Sequence, residues 1–106
     1  MNIKQDIIPL CENCYLDPSM DILIKNNINV PLSRIQCRLL YFLTLNIGKP
    51  VSTEALVNYV WGSEKYIERQ ELYVYINRLR NILEDNPKYP KRLLSLRSFG
   101  YILFPG

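Results

Sequence analysis

The sequence predicts an α+β fold in one domain over residues 1–106, and three observations carry that expectation. Residues 1–32 are short strand-like pieces separated by Asp, Asn and Pro turn signals; residues 33–86 hold three stretches with helical apolar spacing; residues 93–104 are two further strand-like runs around Ser98-Phe99-Gly100. A chain of 106 residues with 48% hydrophobic and 11% aromatic residues has the material for one small core.

The first four strand-like pieces are Asp6 to Leu10, Cys14 to Leu16, Asp21 to Lys25 and Asn29 to Leu32. Asp17-Pro18-Ser19 and Asn26-Asn27 are the turns, and the second is a hairpin signal because an Asn pair tolerates positive φ. Together they predict a small antiparallel sheet. Ser33 with Gln36 three residues on forms a capping box, so a helix begins there, with Ile35, Leu39, Phe42 and Leu43 as its buried stripe and Cys37 close to the core. Gly48 ends it and Pro50 prevents its resumption. Ser52 is the next N-cap, Glu54 suits the positive end of the helix dipole, and Leu56, Val57, Tyr59, Val60 and Trp61 give that second helix a bulky apolar side before Gly62 closes it.

After a loop, Ser63 to Ile67, a long helix spans 68–85 and stops at Asn86-Pro87. At 100° per residue, Leu72, Ile76, Leu79 and Leu83 form one narrow stripe flanked by Tyr75 and Ile82, which must be buried. The opposite side carries Gln70, Val74, Asn77, Arg78 and Asn81, with Glu71 and Arg80 nearer its edges. Amides and a guanidinium gathered on one face are the groups that read base edges, and Val74 among them suits either a chance surface position or a thymine methyl. Leu93 to Arg97 and Tyr101 to Phe104 then make a hairpin with Arg97 near its tip.

Helix, turn, helix and a hairpin directly beyond is the winged helix-turn-helix order, in which the long helix enters a major groove and the hairpin, or wing, reaches backbone or minor groove. Charge agrees. The net charge is +3, yet residues 1–32 sum to −2 and the remainder to +5, and residues 86–106 hold Lys88, Lys91, Arg92 and Arg97 with no acid. A basic end suits a polyanion.

Other chemistries find little support. There is no histidine, no Gly-rich phosphate loop and no nucleophile with an evident base, so no enzyme and no cofactor are expected. Cys11 and Cys14 form C-x-x-C, but a closed zinc site needs four ligands and only Cys37 could be a third; the plain reading is two thiols in or near a sheet turn, with a redox switch kept as an accompanying reading. No run reaches the roughly 18 to 20 apolar residues of a membrane span and no signal pattern opens the chain, so the expected location is the cytoplasm, with no membrane partner.

Four motifs then stand in register: Leu39-Leu40-x-Phe42-Leu43 in the first helix, Val51-Ser52-x-Glu54-x-Leu56 with Val60-Trp61-Gly62 in the second, Val74-Tyr75-Ile76-x-Arg78-Leu79-Arg80 in the third, and Leu93-x-Ser95-Leu96-Arg97-Ser98-Phe99-Gly100-Tyr101 in the hairpin. With Leu16-Asp17-Pro18 near the start, the chain resembles the OmpR/PhoB-type winged-helix DNA-binding domain over roughly residues 6–104. The resemblance implies a bacterial transcriptional regulator or the output domain of a two-component response regulator. It implies that residues 1–32 are the family's four-stranded platform, 33–86 its helical core and 93–104 its wing. Trp61 would hold a phosphate through its indole N–H, Asn77 and Arg80 would touch backbone, and Arg78 would be the main base reader beside Val74. Ser95 and Arg97 would be the wing contacts, Gly100 would permit a tight hairpin and Tyr101 would support it. The loop Ser63 to Ile67 stands where several members face RNA polymerase, and two copies would sit head-to-tail on repeated half-sites.

The chain departs from that pattern at three places. Gln70 stands where an Arg commonly opens the third helix, with Arg69 one step earlier and about 100° round, which re-aims a phosphate contact. Tyr73 replaces an acid, and could stack on sugar or fill space against the backbone. Ser98 replaces the usual Gly after the wing arginine. A second reading follows from Gln70: a winged helix that has lost base readout and serves protein interaction through Tyr73, Tyr75 and Phe99. The phospho-acceptor receiver that usually precedes this domain is not in the 106 residues, so both an excised output domain and a stand-alone regulator stay open.

Overall fold

A computed structural model describes residues 7–62 and 67–105. Four strands open the chain: β1 Ile8–Cys11, β2 Cys14–Asp17, β3 Ile22–Lys25 and β4 Ile28–Pro31, paired antiparallel in that order. The expected turns are there. Asn26 and Asn27 both have positive φ, 52° and 67°, between β3 and β4, the geometry a two-residue hairpin needs and asparagine tolerates. Alternation along the strands buries Leu10, Cys14, Leu16 and Leu23 against the helices and leaves Tyr15 on the outer face.

Helix α1, Arg34–Leu45, starts where the capping box predicts: Gln36 N–H donates to Ser33 Oγ and Ser33 N–H donates to Gln36 Oε1. Its core positions are Cys37, Leu39, Leu40, Leu43 and Thr44, so the buried stripe sits slightly round from the expected one. Ile35 and Phe42 are only half-buried, and Phe42 stacks on Tyr59 at 4.5 Å. The helix ends at Asn46, two residues before Gly48, whose N–H turns away to Leu103 O at 2.7 Å.

Val51–Ser52 forms a strand, β5, that a two-residue pattern cannot announce; it adds to the C-terminal hairpin, giving a three-stranded sheet in the order β5-β7-β6, with β6 Leu93–Leu96 and β7 Gly100–Leu103. Ser52 then caps α2, Thr53–Trp61, by accepting from Ala55 N–H, and Gly62 closes it at φ 93°. Residues 63–66, most of the loop compared with an RNA polymerase contact, lie outside the described residues. Helix α3, Arg69–Leu83, buries Leu72, Ile76, Leu79 and Leu83 as the stripe requires. It stops two residues short of the expected end. Glu84 leaves helical geometry because its carboxylate accepts from the N–H groups of Lys91, Arg92 and Leu93 at 2.8–3.2 Å.

The core joins α1, α2, α3 and one face of each sheet in one cluster of leucines. Each buried leucine contributes roughly 1.5–3 kcal/mol, and this cluster fixes how α3 stands relative to the wing.

Candidate nucleic-acid interface

The outward side of α3 is the one the apolar stripe leaves over. Arg69, Gln70, Glu71, Tyr73, Val74, Arg78 and Asn81 are exposed there and Asn77 is half-buried. Val74 is 45% and Tyr73 50% exposed, so neither is spent on the core. The five residues expected on the reading face therefore share it, with Asn77 tucked toward its edge.

Arg78 is supported from beneath. Its guanidinium lies 5.3 Å from the Tyr75 ring centroid, and Tyr75 in turn packs tilted on Trp61 at 5.8 Å. A cation over an aromatic face is attracted by the ring quadrupole, by about 0.5–1 kcal/mol at exposed sites, which favours rotamers that keep the guanidinium along the helix surface. Trp61 is half-buried against the core, so its ring already has a packing role as the floor of this stack. The sequence carried a signal for the stack: Tyr75 and Arg78 are i and i+3 on one helix, which places them side by side.

Arg80, expected at the DNA backbone, is instead 7% exposed. Its Nε donates to Leu93 O at 2.9 Å, Nη2 to Ser95 Oγ at 3.0 Å and Nη1 to Asn77 Oδ1 at 3.5 Å. Two residues from Arg78, about 200° round the helix, the same side-chain type becomes a strut from α3 to β6. Glu84, four residues on, is turned to the backbone amides beyond the helix and not to Arg80.

In the wing, Arg97 and Ser98 are exposed at the hairpin turn and Phe99 is 50% exposed. The left-handed residue is Ser98, φ 61°, which explains why glycine suits that place better. Gly100 has no positive φ; a Cβ there would stand 2.0 Å from Val51 O and 2.8 Å from Thr53 N. Its requirement is the close approach of β5, a correction to the expectation that it frees the turn. Tyr101, facing β5 and β6, has its phenol pushed up in pKa by burial. Between the start of α3, the start of α2 and the wing runs a groove of about 510 Å³, and Arg69 and Arg97 both line it.

Two further side chains hold α3 and were not legible beforehand. Lys25 Nζ donates to Ile82 O at 2.9 Å, setting a cation at the negative end of the helix dipole. Glu84, 6% exposed, ties the end of α3 to the segment entering β6. Both act across the fold, 57 and 9 residues away in sequence, where periodicity has no reach.

Among the described residues no cluster of His, Cys, Asp or Glu could hold a metal, and no helix is long and apolar enough to cross a membrane. Compared with known proteins, residues 27–103 match the family described as "Transcriptional regulatory protein, C terminal". The chain is 38% identical over 78 residues to the transcriptional regulatory protein KdpE of Mycobacterium tuberculosis, covering 74% of this chain and 34% of the relative. It is 34% identical over 89 residues to the probable transcriptional regulator ycf27 of Porphyra purpurea, covering 82% and 37%. The chain thus spans about a third of these relatives' length. The Klebsiella pneumoniae RstA DNA-binding domain, solved in complex with the RstA box, superposes with a TM-score of 0.82 at 28% identity, over 96% of this chain and all of that one.

Proposed function

This chain belongs to the OmpR/PhoB-type family of C-terminal DNA-binding domains of transcriptional regulatory proteins, and from that premise we propose that it binds duplex DNA sequence-specifically to control transcription, as the output domain of a two-component regulator. The observation that carries the reading is the exposed Arg78 held over Tyr75 in the middle of α3, with a basic wing beside the same helix. In the major groove a guanidinium offers two parallel N–H donors to O6 and N7 of guanine, and a rotamer already favoured at the surface loses less entropy on docking.

The other side chains divide by reach. Gln70 and Asn81 supply amides that pair with adenine, Asn77 touches backbone, and Val74 meets a thymine methyl. Arg69 and Arg97, on either side of the groove between α3 and the wing, take phosphates or the minor-groove edge. Trp61 offers its indole N–H to a phosphate while flooring Tyr75, and Tyr73 lies against sugar. Arg80 and Ser95 position the wing against α3 and do not read bases. One small domain makes few contacts, so two copies head-to-tail on repeated half-sites are the binding unit we propose.

Selection of bound duplexes from a random pool tests this, followed by titration of the winner and a scrambled control at two salt concentrations for wild type and Arg78→Ala. The reading expects an enriched motif whose preference relaxes at one base in the variant. Weak, salt-sensitive binding to every duplex without enrichment would leave phosphate contacts without readout and turn attention to a protein partner on Tyr73 and Phe99.

A further inference from the structure

DNA binding leaves the Cys11-Glu12-Asn13-Cys14 segment without a role. Cys11 and Cys14 are direct partners across the β1–β2 hairpin, closed by a two-residue turn with Asn13 at φ 60°. Direct antiparallel partners stand roughly 4.5–5.5 Å apart at Cα, within the roughly 4.4–6.8 Å that a disulfide spans. Both thiols are free. Cys14 is 1% exposed, whereas Cys11 is partly open and has Arg92 Nη1 donating to its Sγ at 3.1 Å. That contact sets a guanidinium directly against the more open of the two sulfurs. Cys14 is enclosed: burial and the adjacent Cys11 push its thiol up to about 12, so it stays protonated at neutral pH.

We propose that this turn is a hydroperoxide-responsive dithiol, in which Cys11 is oxidised first and Cys14 then closes a disulfide onto it. The Cys11 thiolate attacks one peroxide oxygen and the O–O bond breaks. Sulfur gives up two electrons to become sulfenic acid, and the departing oxygen leaves as water or an alcohol after taking a proton. Cys14 sulfur then attacks Cys11 sulfur, the S–O bond breaks, and the hydroxide released takes the Cys14 proton as a second water. Two thiols and one hydroperoxide give one disulfide and two hydroxylic products.

The position connects this chemistry to the reading helix. Arg92 Nη1 also donates to Leu83 O at 3.3 Å, and Lys25, the partner of Cys14 across β2 and β3, holds Ile82 O. Disulfide closure takes Cys11 Sγ away from the arginine that anchors the last carbonyl of α3, Leu83 O. Cys37, 3% exposed and with its thiol also pushed up to about 12 by burial, is a built-in control.

The test treats the whole chain with equimolar hydrogen peroxide, alkylates the remaining thiols and maps them by mass spectrometry. The peptide holding both cysteines should become lighter by two hydrogens, reversibly with dithiothreitol, while Cys37 in the same molecules remains alkylated. Cys14→Ala, and Cys14→Ser as a second variant in that buried site, should accumulate Cys11 sulfenic acid that a 1,3-dione traps. Arg92→Met should slow that trapping about tenfold and Arg92→Lys should restore most of it. Oxidation of Cys37 as fast as Cys11, sulfinic acid at Cys11 with Cys14 still reduced, or an unchanged rate in Arg92→Met would each overturn the proposal. None of these readouts uses DNA, so failure here leaves the operator-binding reading where it stood.

Discussion

The four-stranded sheet and the three-stranded sheet both grip the C-terminal half of α3, and they do so in opposite directions. The first sends a cation from β3 onto a helix carbonyl, Lys25 to Ile82 O, and Arg92, in the segment between the sheets and held beside Cys11 of β1, adds a second at Leu83 O. The second receives a guanidinium sent out by the helix itself, Arg80 to Leu93 O and Ser95 Oγ. The chain segments differ in sign as well, net −2 over residues 1–32 and no acid beyond residue 86. An acidic platform would repel a polyanion, and a basic end would attract one. The difference teaches that one sheet serves as a mount for α3 and the other works with it as a surface, and that buried guanidinium contacts keep the wing in register with the outward face of α3.

The largest blow to the surface side should come from Gly100→Ala, because the new Cβ would meet backbone at 2.0 Å and must separate β7 from β5. A loss on the order of 3 kcal/mol or more is expected in urea denaturation, and a loss under about 1 kcal/mol would show that β5 is free to shift. Arg80→Met comes next. It leaves Leu93 O and Ser95 Oγ without their donor and should cost roughly 2–3 kcal/mol of stability while lowering DNA affinity equally for all sequences, as a positioning residue would. Loss at a single base position would instead make Arg80 a reader.

Arg78→Ala is the contrasting case two residues away. Its stability should stay within about 0.5 kcal/mol of wild type while affinity for the best duplex falls by about 1–3 kcal/mol with one base relaxed, checked by denaturation alongside titration. If the two arginines gave the same profile, the division between mount and surface would not hold. On the platform side, Lys25→Met should cost about 1 kcal/mol of stability with little change in sequence preference, since it removes one partly buried cation from the helix end. The smallest effect is a gain: Ser98→Gly relieves a serine at φ 61° and should raise stability by about 0.5–1 kcal/mol in thermal melts.

Much of the domain was legible from local chemistry. The Ser33–Gln36 capping box, the Ser52 cap, the Asn26-Asn27 hairpin and the leucine stripe of α3 all depend on residues within a few positions of one another, and each formed where the spacing placed it. The exposed face of α3 followed from the stripe by subtraction, which is why Arg78 and Val74 were found in the open. Asn77, Arg80, Ser95 and Gly100 were recognised as positions of note, yet what each touches was not readable.

What the sequence determined by itself was the order of the helices and hairpins, the caps, the buried stripe and the uneven charge, since each rests on residue type, propensity and short-range hydrogen bonding. The tertiary structure alone decided that Arg80 faces the wing and Arg78 does not, that Val51–Ser52 is a strand, that Glu84 ends α3 early, and that Cys11 sits beside Arg92. Those outcomes rest on partners that meet only after the core has closed, when a buried guanidinium, carboxylate or backbone amide must find a hydrogen-bond partner wherever the packed helices and sheets have brought one.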